Sequence, residues 1–278
     1  MGQARGLRLA HSQALVYAWV QGRGLWARRR RGRLPPTKVS DFAPAIRDLV
    51  TANRILAREN VLDAYGHVSV RHPLRPERFL LACSRSPELV EYSDILEFNL
   101  DGEPVEADGR KLYLERFIHA AIFEARPDVN AVVHSHAEDT LPFSITTTPL
   151  TPVIHNAGRM GMHVPVWDIR DSFGDTNMLV SNVEKGRDLA RTLAGGSVVL
   201  MRGHGFTTAA GKLLDAVGLA VYLPKNARVL LNALRLGEVN TLSEGEVGQI
   251  ASGPQAHDMK RAWEYWSQRA GSAGPSKP

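Results

Sequence analysis

Ala131-Val132-Val133-His134-Ser135-His136 decides how this chain reads, because an apolar strand ends there in two histidines set two residues apart. Residues i and i+2 of a strand face the same side, so both imidazoles aim at one point. A second apolar run, Val198-Val199-Leu200-Met201, leads into Arg202-Gly203-His204-Gly205 and supplies a third histidine between glycines, which let backbone and ligand approach closely. Neutral imidazole is the commonest ligand for zinc and its first-row neighbours, and three protein ligands with open positions mark a catalytic rather than a structural metal. A His-x-His pair also suits an exposed polar strand end, so a fourth ligand is worth seeking. Residues 114–125 read as a helix, with apolar side chains at 114, 117, 118, 121 and 122, and Glu115 at its opening can reach the same point.

From Glu115 through Arg126-Pro127-Asp128 to His134 and His136, and on to His204, the chain resembles the class II aldolase/adducin family over about residues 46–237. Enzymes of that family, fuculose phosphate aldolase among them, bind a divalent metal through a glutamate and three histidines. The matching residues are Glu115, His134, His136 and His204, which implies one divalent ion per subunit, with zinc, manganese, iron and cobalt all suited to this donor set. The resemblance implies an α/β fold, a three-layer α/β/α domain around a mixed or antiparallel sheet. It also implies a homotetramer with sites at subunit interfaces.

Three departures from the aldolase pattern bear on the reaction. The aldolases hold a phosphate with a Gly-Asn-x-Ser turn and paired serines ahead of the metal glutamate, whereas this chain has Gly66-His67-Val68-Ser69 and Lys111-Leu112-Tyr113-Leu114-Glu115. Small donors suited to phosphate are replaced by an imidazole and bulky groups, which points to an unphosphorylated, flatter substrate with His67 as a contact. Ser84-Arg85-Ser86 remains to grip a carboxylate, since arginine can make two parallel hydrogen bonds to one. Where the aldolases place a proton-donating tyrosine, this chain has His155, an imidazole able to pass a proton to a carbanion.

These changes resemble the family branch that decarboxylates hydroxylated aromatic or heteroaromatic acids without oxidation, which implies a lyase of aromatic compound catabolism acting on a small carboxylic acid. Glu115 is then ligand or proton shuttle, and His155 protonates the ring carbon. His119, one helical turn after Glu115, reads as a residue that orients the glutamate. A retro-aldolase acting on an unphosphorylated keto acid or sugar-like substrate would use the same metal. An adducin-like interaction domain would not keep the four ligands.

Composition fits a soluble enzyme: 278 residues, 44% of them hydrophobic, with no apolar run long enough to span a bilayer. The net charge of +5 is unevenly spread. Residues 1–40 hold eight arginines and Lys38 without one acid, leaving a net −4 for the remainder. Such a segment has the character of a nucleic-acid arm, a membrane-surface tag or a transit peptide. Leu34-Pro35-Pro36-Thr37 separates it from the family-like region, and we read residues 1–40 as a disordered extension, with neither nucleic acid nor membrane as partner. The single cysteine, Cys83, excludes an internal disulfide framework, fits a cytoplasmic setting and reads as a small core residue.

The rest divides into a catalytic domain, 41–240, and a C-terminal helix and tail, 241–278. Helices are expected over residues 45–60, 114–125 and 213–236, and strands over 65–71, 79–82, 95–99, 129–134 and 198–201, with a hairpin turn at Asn99-Leu100-Asp101-Gly102-Glu103. Pro224 is expected to kink or split the long helix. The aromatic residues of 258–266 read as packing on the domain's own surface, ahead of a role as lid over a neighbouring subunit.

Overall fold

Strict alternation along the central strand divides the molecule into two cores. The computed structural model describes residues 39–252 and 259–271; the basic segment 1–38 lies outside the described residues, as do 253–258 and 272–278. In chain order the elements are α1 (Ala43–Arg58), β1 (His67–Arg71), β2 (Arg78–Ala82), β3 (Ile95–Asn99), α2 (Arg116–Ala125), β4 (Ala131–Ser135), α3 (Leu141–Ser144), β5 (Val166–Trp167), α4 (Ile169–Phe173), α5 (Val183–Leu193), β6 (Val198–Met201), β7 (Gly205–Ala210), α6 (Leu213–Leu236), α7 (Glu244–Ser252) and α8 (Lys260–Arg269). The seven strands form one sheet in the order β3-β2-β1-β4-β7-β6-β5. Every pairing is antiparallel except β5 with β6, so the sheet is mixed.

Ala131 and Val133 face one core with Val68, Val70, Leu200 and Phe206, covered by apolar residues of α1, α6 and α8. Val132 faces the other with Leu81, Val199 and Ala209, covered by α2 and α5. This is the expected three-layer arrangement. The same alternation sends His134 to the α2 side. There the register sets His67 of β1 and Thr207 of β7 on either side of it, so one row across three strands carries polar groups into the buried layer.

The expected helices and strands all form, with ends shifted by a few residues. Six elements were not expected: α3, β5, α4, α5, β7 and α7. β7 follows His204 at once, and its residues Gly205 to Ala209 are all buried, which hides the polarity alternation that marks a half-exposed strand. Pro224 does not split α6, which runs unbroken for 24 residues. Val221, Leu223, Pro224 and Ala227 are all buried, and their packing carries the helix past the missing hydrogen bond.

At the C-terminus, Trp263 and Trp266 of α8 are buried in the α1/α6 core, and Met259 lies against Gly218, so the aromatic face packs on the domain's own surface. Glu59 ties the layer together through Lys225 at 3.3 Å and Arg269. Cys83 is buried, as its core reading requires.

Gly205 is where β7 meets β4: a Cβ there would lie 2.0 Å from Ser135 O. Gly205→Ala is therefore expected to lower the melting temperature by about 5 °C or more. Gly248→Ala in α7, where nothing lies within 4 Å, should leave it unchanged or raise it slightly. Equal melting of the two variants would contradict this strand contact.

Candidate metal centre

The end of β4 delivers two imidazoles, and the turn between β6 and β7 delivers the third. Gly203 takes a left-handed conformation (φ 61°), and His204 N–H closes the turn onto Met201 O at 3.0 Å. Glu115 occupies the N-cap position of α2, immediately outside the helix, with its side chain buried against the strand ends. One donor atom from each of Glu115, His134, His136 and His204 lies within 4.8 Å of the others. The four residues that the sequence predicted as ligands thus come together.

The outer side of each ring fixes what the inner side presents. His134 Nδ1 lies 3.1 Å from Phe206 O and His204 Nδ1 3.1 Å from Met178 O, both pure acceptors, so each Nδ1 carries the hydrogen. His136 Nδ1 lies 3.2 Å from both Asp63 oxygens. All three Nε2 atoms are therefore bare. The Nε2 atoms of His134 and His136 face each other at 3.0 Å, and Glu115 Oε2 lies 3.4 Å from His134 Nε2 and 3.3 Å from His204 Nε2. Lone pairs so crowded repel unless a cation lies among them, and a divalent ion fits this donor set. The other glutamate oxygen, Oε1, accepts from Val180 N at 2.9 Å.

Burial and the Glu115 charge pull these groups in opposite directions. Burial lowers the His134 pKa to about 4, against the pull of Glu115, which keeps the imidazole neutral at physiological pH. Burial also lowers His204, but the Glu115 carboxylate beside it outweighs this and leaves His204 raised. Burial alone would raise the Glu115 carboxyl; the His134 and His204 rings beside it hold it far below the usual carboxylate range.

Behind this cluster lies a second set of polar groups. His67, 2% exposed, has its ring centroid 5.1 Å from His134 and 4.6 Å from Tyr113. Its Nδ1 lies 2.6 Å from His119 Nε2, and His119 Nδ1 lies 2.6 Å from Ser69 Oγ. His119 thus serves His67, and the expectation that it orients Glu115 is corrected. Glu115 stands at the N-cap, outside the helical repeat, so the one-turn spacing does not set it beside His119. Burial lowers His67 well below its ordinary value and His119 to about 3.

Tyr113 donates to Arg85 O, bringing the Ser84-Arg85-Ser86 loop up to the Tyr113–His67 pair. Arg85 Nε is held 3.3 Å from Asp94 Oδ2. His155 is exposed at the start of the 3-10 turn His155–Met160, with Nδ1 3.2 Å from Asn156 Oδ1, so it does not join the cluster within this chain. Asn226 of α6 secures the segment before it, accepting from Val153 N and donating to Thr151 O, both at 2.8 Å. Sequence reasoning missed Asp63, Tyr113 and the backbone groups of Met178 and Val180. The trace of Asp63 was a generic turn, in which its carboxylate also accepts from Tyr65 N and Gly66 N at 2.9 and 2.8 Å.

Residues 47–231 match the sequence profile of the Class II Aldolase and Adducin N-terminal domain. The chain is 33% identical over 253 residues to the decarboxylase tropJ of Talaromyces stipitatus, covering 82% of this chain and 95% of that protein. It is 27% identical over 241 residues to the 3,4-dihydroxyphthalate decarboxylase of Arthrobacter keyseri, covering 81% and 93%. Among solved structures it is similar to an aldolase II superfamily protein from Pseudomonas syringae (TM-score 0.69, 21% identity, 84% of this chain and 94% of that one). It is also similar to the L-fuculose 1-phosphate aldolase from Glaciozyma antarctica (TM-score 0.66, 24% identity, 85% and 93%).

Two outcomes follow from this geometry. Asp63→Asn should weaken zinc binding about 10- to 100-fold in a competition titration, with an unchanged circular dichroism spectrum; wild-type affinity would remove Asp63 from the centre. The second concerns pH in chelator-treated protein. His119 has a folded pKa of about 3 against an ordinary 6.5, so the unfolded chain binds the extra proton between those values. Stability present above pH 6.5 is therefore lost as pH falls toward 3, with a slope of about 1.4 kcal/mol per pH unit for each such group. Denaturant melts should show this slope reduced in His119→Gln; parallel slopes would contradict it.

Proposed function

Because the chain belongs to the class II aldolase and adducin family, we propose that it is a divalent-metal-dependent carbon–carbon lyase whose reaction is the non-oxidative decarboxylation of a hydroxylated aromatic or heteroaromatic acid. The observation that carries this reading is the His67–Tyr113 ring pair beside His134, where the family's aldolases hold a phosphate. The two rings, with centroids 4.6 Å apart and planes tilted by 42°, put aromatic surface in place of small phosphate donors, which suits a planar acid better than a sugar phosphate. The likeness to decarboxylases over four-fifths of the chain supports the same choice.

Glu115, His134, His136 and His204 would hold the ion, with zinc, manganese, iron and cobalt all compatible with these donors. When bound, a divalent ion supplies Lewis acidity that draws electron density from a carboxylate and its neighbouring hydroxyl. With Oε1 held by Val180 N and Oε2 set between the Nε2 atoms of His134 and His204, the Glu115 carboxylate suits a permanent ligand better than a proton shuttle. Arg85, fixed through its carbonyl by Tyr113, has its terminal nitrogens available to a second carboxylate, with Ser84 and Ser86 beside it. As the ring–carboxylate bond breaks and carbon dioxide leaves, the electron pair stays in the ring and a proton must reach that carbon. We assign this proton to His155. Its exposure in its own chain fits delivery across an interface in a homotetramer, into the site of a neighbouring copy. A cytoplasmic location fits the lone buried cysteine and the finding that, among the described residues, no helix is long and apolar enough to cross a membrane.

A retro-aldolase reading shares the metal ligands and draws on 28% identity over 191 residues to an L-fuculose phosphate aldolase. Product analysis separates the two. Metal-loaded enzyme incubated with 3,4-dihydroxyphthalate and other ortho-hydroxy aromatic acids is expected to release carbon dioxide, to stop on chelation, and to lose about 10²- to 10⁴-fold in rate as His155→Ala. Aldehyde release from a hydroxy-keto acid with no carbon dioxide from any aromatic acid would select the aldolase.

A further inference from the structure

Two imidazoles can hydrogen-bond to each other only if one nitrogen is bare and its partner carries hydrogen, so the 2.6 Å contact between His67 Nδ1 and His119 Nε2 assigns one donor and one acceptor. The chain continues from His119 Nδ1 to Ser69 Oγ, again at 2.6 Å. It can run in two senses. In one, Ser69 O–H donates to His119 Nδ1, His119 Nε2–H donates to His67 Nδ1, and His67 carries its hydrogen on Nε2. In the other, His67 Nδ1–H donates to His119, His119 Nδ1–H donates to Ser69 Oγ, and the serine hydroxyl must find another acceptor.

The surroundings of Ser69 decide between them. Ser69 is fully buried in β1, between Leu81 of β2 and Val132 of β4, where the backbone carbonyls serve the two ladders. Among the described residues its hydroxyl has no partner besides His119. The second sense would leave a buried hydroxyl hydrogen unpaired, which is unfavourable; the first uses every hydrogen. His119 is itself fully buried and lies parallel to Phe79 (18° between ring planes), which keeps it from turning over to exchange its nitrogens.

We propose that Ser69 and His119 are positioning residues that lock His67 as the Nε2–H tautomer, so that a neutral hydrogen-bond donor stands beside the metal ligands and binds an anionic oxygen of the substrate. The donor's location follows from the register, which places His67 opposite His134 on the neighbouring strand and on the same face. Pointing Nδ1 at α2 turns Nε2 to the opposite side of the ring. The substrate contact rests on the lyase reading above; the tautomer does not.

The test is long-range ¹H–¹⁵N correlation of the histidine rings in the full-length, zinc-loaded protein, with His67 and His119 assigned from their Gln variants. Both rings should show the Nε2–H pattern. In Ser69→Ala a share of His67 should convert to Nδ1–H, and Ser69→Thr should restore the wild-type spectrum. A wild-type His67 in the Nδ1–H form overturns the proposal, as does a His67 tautomer unmoved by Ser69→Ala. Were Ser69→Ala unable to fold, the wild-type spectrum alone decides. The contact is read separately, on whichever acid is turned over: His67→Leu should raise KM about 10- to 100-fold and His67→Gln, which keeps a donor, much less, at equal zinc content. Equal KM values in the two variants would remove the contact and leave the tautomer standing, while absence of any turnover would fault the lyase reading alone.

Discussion

Four electron-rich atoms turned toward one another are the constraint around which this fold is arranged. Backbone carbonyls of Phe206 and Met178 and the carboxylate of Asp63 hold the outer nitrogens of three imidazoles, so the inner nitrogens present only lone pairs. Glu115 adds a negative charge to the same space, itself fixed by the amide of Val180. Without a cation this is an unfavourable cluster; with one, each donor is already aimed. Preorganisation of this kind is what lets a metal centre hold its geometry through a reaction.

Strands, turns and a helix end all contribute to that aim. Alternation in β4 sets His134 and His136 on one face, the left-handed Gly203 turns the chain back to bring in His204, and the start of α2 supplies Glu115. The hidden layer beside the centre is unusually polar for a protein interior: His67, Ser69, His119 and Thr207 are all buried, and each has a hydrogen-bond partner within the sheet–helix layer. Buried polar networks are favourable only when fully satisfied. Here the satisfaction of Ser69 and His119 is what leaves one nitrogen of His67 for a ligand.

Much of this was legible in the sequence, for reasons that differ by residue. The candidate ligands could be read because the three histidines stand at the ends of apolar strands and Glu115 opens a helix, at the positions that carry the family resemblance. The three-layer fold was implied by the family resemblance, which the order of those strands and the amphipathic helices between them suits. Asp63 and the carbonyl of Met178 could not be read, since a turn aspartate and a backbone group carry no mark of their partner 73 or 26 residues away. β7 escaped because burial on both faces removes the alternation that announces a strand. His119 was joined to the wrong neighbour, because one-turn spacing holds only inside a helix and Glu115 lies just outside it. Pro224 failed to break α6 because tertiary packing outweighed a local penalty.

The most direct measurement of the central claim is anomalous diffraction from crystals grown with manganese or zinc. A single strong anomalous peak enclosed by Glu115 Oε2 and the Nε2 atoms of His134, His136 and His204, with Asp63, Phe206 and Met178 still on the outer nitrogens, is the predicted result. An absent peak, or one bound elsewhere while these side chains keep their positions, would contradict the account.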